Sequence, residues 1–99
     1  MRALHLIAFC LCSSAVAAHD APSGWSYPAA CCSNLDCREV SATEIDERNR
    51  GIIVRATGEL IPYSDRRLRR SPDGKYHRCS VNGSAHGRTI CLFVPPRSF

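Results

Sequence analysis

The chain has 99 residues, and its 13 basic and 9 acidic side chains give a net charge of +4. A chain of this length forms one domain with a thin core. The charge is too small to indicate a nucleic-acid-binding protein, and after the N-terminal segment no apolar stretch is long enough to span a membrane as a helix. Seven cysteines indicate that disulfides supplement the core.

The chain begins with a segment typical of a secretory signal peptide. Arg2 gives it a positive start, an apolar stretch covers 4–12, and small residues follow up to Ala18. The stretch is shorter than a transmembrane helix requires. We therefore expect 1–18 to be a signal peptide and 19–99 to be a single small domain exported to the periplasm or out of the cell, where disulfides form.

Residues 19–30 are rich in proline, serine, glycine and aromatic side chains, among them Trp25 and Tyr27. This composition predicts an irregular N-terminal arm whose rings lie over the core. A short cysteine loop, 31–37, follows the arm.

Residues 38–50 allow two interpretations. Ser41 and Glu44 fit the capping box of a short helix, but Ile45 is the one large apolar residue available to bury a face of that helix. The alternative is a strand over 43–47, followed by a turn into the next strand. We favour the strand.

The strand signals are clearest in the second half of the chain. Segments 52–56 and 59–63 are separated by two turn residues and predict a tight hairpin, in which Pro62 requires that its strand lie at a sheet edge or end there. Segments 75–81 and 89–94 flank a glycine-containing loop and predict a second hairpin. The predicted fold is small and all-β: a disulfide-stapled antiparallel meander of about four or five short strands.

The second hairpin also predicts a disulfide. An equal-length pairing of its strands places Cys79 opposite Cys91, and opposed residues have Cα atoms about 4.5–5.5 Å apart, within disulfide reach. We therefore expect a Cys79–Cys91 bond. Neighbours in extended chain point to opposite faces, so either Cys31 or Cys32 is expected to pair with Cys37, and one thiol is left over.

The alternative is a metal-binding or thiol-redox protein. Cys32, Cys37, His77, Cys79 and Cys91 offer a mixed thiolate and imidazole set suited to zinc or copper. The spacings lack the close Cys-x2-Cys pairs of common zinc modules, and an oxidising compartment competes for the thiols. Thiol–disulfide exchange is also possible, although there is no Cys-x-x-Cys motif. The preferred prediction is a protein without metal or cofactor.

A basic segment offers a binding surface. Arg66, Arg67, Arg69 and Arg70 fit an anionic partner such as lipid head groups, polysaccharide or an acidic protein; alternatively, they form a solvated connector with their stems on the core. The sequence shows no paired carboxylates, Ser–His–Asp order or phosphate-binding glycine loop. We therefore expect a non-enzymatic binding or structural module with an unidentified macromolecular partner outside the cytoplasm.

Three sequence blocks carry a family resemblance. They are Trp25–Cys37 with its double cysteine, Ser71–Cys79 with Ser-Pro-Asp-Gly, and Cys91–Pro96. Together they resemble a group of small exported cysteine-containing proteins encoded in proteobacterial genomes, over a range from Trp25 to Pro96 with a variable middle. The resemblance implies a signal peptide, five mature cysteines and a bacterial periplasmic or secreted setting. It implies no activity, ligand or catalytic residue.

Overall fold

The computed structural model describes residues 20–32 and 36–96, so the expected signal peptide at 1–18 lies outside the described residues. Those residues form seven strands: β1 (Cys37–Val40), β2 (Ile45–Glu47), β3 (Gly51–Val54), β4 (Glu59–Pro62), β5 (Leu68–Arg70), β6 (Tyr76–Ser80) and β7 (Thr89–Val94). The all-β prediction is confirmed, with more strands than four or five. Within the same residues no helix is long and apolar enough to cross a membrane.

The strands form two sheets. One has the order β1-β6-β7-β5 and the other has the order β2-β3-β4. All neighbouring strands are antiparallel except β5 and β7, which run parallel. The three-stranded sheet is a meander of consecutive strands, whereas the four-stranded sheet joins segments that are distant in sequence.

The ambiguous segment between β1 and β2 contains part of each predicted structure. The Ser41 side chain accepts a hydrogen bond from the Thr43 amide at 3.2 Å, and the Glu44 carboxylate accepts one from the Ser41 amide at 3.4 Å. This capping box starts a single 3-10 turn, Ala42–Glu44, and β2 begins directly at Ile45. The predicted strand is therefore shorter than 43–47.

The β3–β4 hairpin has a longer turn than predicted. Val54 lies opposite Glu59, so the connection has four residues, 55–58, rather than two. Pro62 ends β4, an edge strand of its sheet, as expected. At the other end of the hairpin, a Cβ on Gly51 would overlap the Ile61 carbonyl oxygen, so the two strands can approach this closely because residue 51 is glycine.

Two apolar clusters lie on opposite faces of the four-stranded sheet, because successive side chains of a strand alternate in direction. Between the two sheets lie Val40, Ile45, Ile52, Val54, Ile61, Leu92 and Val94. Between the four-stranded sheet and residues 20–32, which we call the arm, lie Ala21, Tyr27, Cys31, Cys32, Cys37, Cys79, Cys91 and Phe93. The layers are therefore arm, four-stranded sheet and three-stranded sheet, and the predicted position of the arm over the core is confirmed.

The disulfides differ from the predicted pairs. Cys31 is bonded to Cys91, with Cα atoms 5.5 Å apart, and Cys37 is bonded to Cys79, with Cα atoms 3.9 Å apart. Cys32 is buried and is not in a disulfide. The predicted register is correct at Cys79, which lies opposite Cys91, but the predicted Cys79–Cys91 bond and the bond from Cys37 to Cys31 or Cys32 are wrong. The reason is β1, which was not predicted: it lies on the other side of β6 and places Cys37 opposite Cys79 as well.

Candidate functional site

The predicted basic segment lies on the exposed edge strand β5 and the turn before it. Arg66, Arg69 and Arg70 are exposed. Arg67 is less available to an anionic partner, because its guanidinium group lies 2.8 Å from the Asp65 carboxylate and 3.6 Å from the Glu59 carboxylate. Hydrogen bonds from Arg67 hold the pKa of Asp65 at about 2. We refer to Arg66, Arg69 and Arg70 as the basic edge.

Two charges of the basic edge, those of Arg66 and Arg69, have no ion-pair partner in the described part of the chain. All nine acidic residues of the chain lie in the described ranges; eight of them have a hydrogen-bond or ion-pair partner there, and Asp36 is not without a partner. Arg66 and Arg69 lie beyond ion-pair distance of every carboxylate in the described part of the chain. The excess positive charge of the protein is therefore partly concentrated at this edge.

The backbone of the basic edge is fixed by β7. The Leu92 amide donates to the Arg67 carbonyl at 2.8 Å, and the Ser71 amide donates to the Val94 carbonyl at 2.7 Å. On the outer side, the Leu68 amide is already bonded to the Asp65 carbonyl at 3.0 Å. With three residues and one outward amide already occupied, β5 is poorly suited to adding another strand. A partner would therefore bind the side chains of β5 rather than its backbone.

A second polar centre lies under the arm, around Asp73. Its carboxylate accepts hydrogen bonds from Ser23 Oγ at 2.6 Å, from Trp25 Nε1 at 2.9 Å, from Ser71 Oγ at 2.8 Å and from His77 Nε2 at 2.9 Å. Burial alone would raise the pKa of this carboxyl group, but these hydrogen bonds outweigh burial and hold the pKa well below its usual range. Asp73 is therefore charged and ties the arm to β6.

His77 extends this centre into the core. The side chain is fully buried, and its Nδ1 atom lies 2.8 Å from the Tyr27 hydroxyl. Because a carboxylate can only accept, Nε2 carries the proton that faces Asp73. Burial, followed by the charges of Asp73 and Glu39, raises the pKa of Tyr27 to about 12, so the phenol keeps its proton.

This Tyr27–His77–Asp73 chain resembles an acid–base relay in its order of groups, but both rings are closed off from solvent. Tyr27 is 2% exposed and His77 is 0% exposed. The ring of Trp25 packs edge-on against both, with centroids 4.9 and 5.0 Å away, and against Phe93 at 5.3 Å. The arrangement holds the arm in place and has no surface at which a substrate can meet the imidazole.

A third polar centre links the two sheets. Arg78 is 2% exposed, and its guanidinium group donates to Thr89 Oγ1 at 2.8 Å and to the carbonyl groups of Ala85 and Gly87. Glu59, on the other sheet, lies 3.5 Å from Arg78 and accepts from Thr89 Oγ1 at 2.6 Å. Arg78 therefore fixes the loop between β6 and β7 to β4.

The alternative metal set is not assembled as ligands. Cys37, Cys79 and Cys91 are in disulfides, and a disulfide sulfur is not the thiolate that zinc or copper binds. His77 faces Tyr27 and Asp73, not cysteine sulfur. Within the described residues no group of three or more His, Cys, Asp or Glu side chains has a geometry that fits a metal ion.

A shallow groove of about 320 Å³ lies where β1, β6 and β7 end, lined in part by Val40, Tyr76 and Pro95. The charged groups on its wall, Glu39 and Lys75, lie 3.9 Å from one another. The groove thus lacks the unpaired positive charge that Arg66 and Arg69 give the basic edge.

Comparison with protein-family models, with curated proteins and with solved structures finds no match for the chain.

Sequence reasoning did not find the second and third polar centres. For Asp73 a signal existed: it lies two residues after Ser71 and four before His77, in the block Ser71–Cys79 that carries part of the family resemblance. For Glu59 and Arg78 there was no local signal, because a contact between the two sheets brings them together.

Proposed function

We propose that this protein is a small exported binding module that contacts an anionic macromolecule in the periplasm or outside the cell. The observation that carries the proposal is the basic edge: three exposed arginines on β5 and the turn before it, of which Arg66 and Arg69 have no ion-pair partner among the described residues. The disulfides fit such a setting, because they persist in oxidising compartments.

The shape of the edge defines the kind of recognition. Strand addition is disfavoured because β5 is short and the Leu68 amide is occupied. Contact is therefore made by guanidinium groups, which bind sulfate, phosphate and carboxylate oxygens in bidentate fashion. The large hydrophobic side chains that are exposed in the described ranges, Leu60 and Val81, are not part of the edge. We infer a partner with a regular array of acidic groups that is held by charge, such as an anionic polysaccharide.

Binding to dextran sulfate, with neutral dextran as a reference, tests the proposal. The double variant R66Q/R69Q removes two uncompensated charges from the edge. The matched double variant R48Q/R55Q removes the same charge from side chains that already face Asp46, at 2.8 and 3.9 Å. Titration with dextran sulfate at low salt, monitored by calorimetry or fluorescence, gives the affinity of each double variant and of the unmodified chain.

At about 0.7 kcal/mol for each exposed ion pair, R66Q/R69Q should bind dextran sulfate about tenfold more weakly than the unmodified chain. The loss should shrink as salt is added, because exposed charges are screened. R48Q/R55Q should change the affinity less than threefold. Equal losses in the two double variants would show that net charge alone drives binding and would refute a role for the edge.

A separate measurement addresses export. N-terminal sequencing of the protein recovered outside the cytoplasm should give a start near residue 19. Recovery of an uncleaved chain in the cytoplasm, with its cysteines reduced, would contradict the proposed location without bearing on the binding surface.

A further inference from the structure

Three cysteines lie side by side across the four-stranded sheet. Cys37 is opposite Cys79, and Cys79 is opposite Cys91. All three belong to the apolar cluster under the arm. Cys79 is bonded to Cys37, with Cα atoms 3.9 Å apart, and an opposed residue such as Cys91 has its Cα atom about 4.5–5.5 Å away, within the span of about 4.4–6.8 Å typical of disulfides. The central residue, Cys79, therefore has two neighbours with which a disulfide is geometrically possible.

The arm brings two further sulfurs to this row. Cys31 is bonded to Cys91, while its carbonyl oxygen lies 3.7 Å from Cys37 Sγ. The next residue, Cys32, is buried in the same cluster and is the one cysteine among the described residues that is not in a disulfide. The arm thus contacts both ends of the row.

We propose that the five cysteines support two disulfide pairings and that Cys32 is the internal thiol through which they interconvert. The native pairing is Cys31–Cys91 with Cys37–Cys79. The local pairing is Cys79–Cys91 together with a bond from Cys37 to Cys31 or Cys32. Loop closure costs less for short loops, and the native bonds span 60 and 42 residues. The local pairing therefore forms first.

The conversion is balanced without an oxidant or a reductant. When Cys37 is bonded to Cys32, the Cys31 thiolate attacks Cys91 and releases Cys79. The Cys79 thiolate then attacks Cys37 and releases Cys32. Each step forms one sulfur–sulfur bond and breaks one, and the proton lost by Cys31 is taken up by Cys32. When Cys37 is bonded to Cys31 instead, attack of the Cys32 thiolate on Cys37 frees Cys31 and enters the same route.

The conversion moves the attachment of the arm. In the local pairing the arm is held only to the adjacent strand β1, whereas in the native pairing Cys31 fixes it to β7. The native bond lies on the same strand as Phe93, which the arm covers through Trp25. Closure of the arm over the sheet is therefore coupled to the exchange.

Trypsin distinguishes the two pairings. Cleavage after Arg38, Arg78 and Arg88 leaves Cys31, Cys32 and Cys37 in one peptide, Cys79 in a second and Cys91 in a third. The native pairing joins all three peptides in a single species. The local pairing joins the second and third peptides to each other and leaves the first with an internal bond.

The test compares the full chain carrying C10S and C12S, which removes the other two thiols, with the same chain carrying C32S. Both are reduced, oxidised briefly with oxidised glutathione, freed of oxidant and incubated at about pH 8. Samples are quenched with acid and alkylated before digestion. In the chain with Cys32, the two-species digest should give way to the three-peptide species. In the C32S chain this conversion should be at least tenfold slower, and added reduced glutathione should restore it.

Equal conversion rates in the two chains overturn the proposal. The proposal is also overturned if the chain that keeps Cys32 never gives the two-species digest of the local pairing. A second measurement needs no variant at Cys32. Because the thiolate is the attacking species, the conversion rate should rise with pH between about pH 6 and 8. A rate that does not change over this range also overturns the proposal.

Discussion

Replacing Asp73 with asparagine should release the arm from the sheet. The carboxylate accepts hydrogen bonds from Ser23, Trp25, Ser71 and His77, while an amide has one acceptor oxygen and turns an NH2 group toward the remaining donors. At least two bonds to a charged acceptor are lost, each contributing about 1.5 kcal/mol. We therefore expect D73N to lower the free energy of unfolding by about 3 kcal/mol.

Urea unfolding with intact disulfides measures this loss. Trp25 is the one tryptophan of the chain and donates to Asp73, so its fluorescence reports the arm directly. For a domain of this size the urea dependence is about 1 kcal/mol per molar, and the midpoint should fall by about 3 M. Asp20 provides the matched control, because its exposed carboxylate accepts from Ser26 at 2.7 Å, at the surface. D20N should cost less than about 0.5 kcal/mol.

The unmodified chain and D73N should also differ in how their stability changes with pH in acid. The folded-state pKa of Asp73 lies below that of an unfolded aspartate, about 3.9. Its contribution is therefore complete above that value and is lost as the pH falls below about 4 toward the folded-state pKa. The unmodified chain should lose stability in this range, and D73N should lose less. A D73N cost below about 1 kcal/mol at pH 7, or one equal to that of D20N, would refute this account of the arm.

Two further substitutions test the packing of the sheets. R78M removes the donor to Thr89, Ala85 and Gly87, while Glu59 keeps its bond from Thr89. We therefore expect the free energy of unfolding to fall by about 2–3 kcal/mol and amide hydrogen exchange in the β6–β7 loop to become faster. Unchanged exchange in that loop would contradict the anchoring role of Arg78. G51A places a methyl group against the Ile61 backbone, and denaturant unfolding should show that the free energy of unfolding falls by at least about 2 kcal/mol. G58A is the control, because a Cβ there has open space and the positive φ is its one cost. It should lower the free energy of unfolding by about 1 kcal/mol.

The parts of the fold that the sequence predicts are those formed by neighbouring segments. The β6–β7 hairpin follows from strand patterns flanking a glycine-containing loop, and its register is confirmed at His77–Phe93 and Cys79–Cys91. A bulge after Cys79 shifts the end, so that Ser80 rather than Val81 lies opposite Thr89. Local patterns specify which residues alternate, but they do not show where one extra residue enters the ladder.

The parts that the sequence does not predict depend on distant segments. β1 pairs with β6 across more than thirty residues, and β5 runs parallel to β7, so neither pairing has a turn signal. The Cys37–Cys79 disulfide follows from the first of these pairings, since Cys37 meets Cys79 only once β1 is in the sheet. Among the predicted arginines, Arg67 differs from its neighbours because Glu59 and Asp65 fold toward it, which is a property of tertiary structure.

The position of β7 has a consequence for the order of assembly. It is the last of the seven described strands in chain order, yet β6 and β5 both pair with it and Cys91 on it holds the arm. A nascent chain that lacks this strand can complete the small meander β2–β3–β4 and can pair β1 with β6, while β5 has no strand to pair with and the arm lacks its disulfide. The four-stranded sheet, and the disulfide that joins it to the arm through Cys91, can therefore be completed only after β7 has left the ribosome.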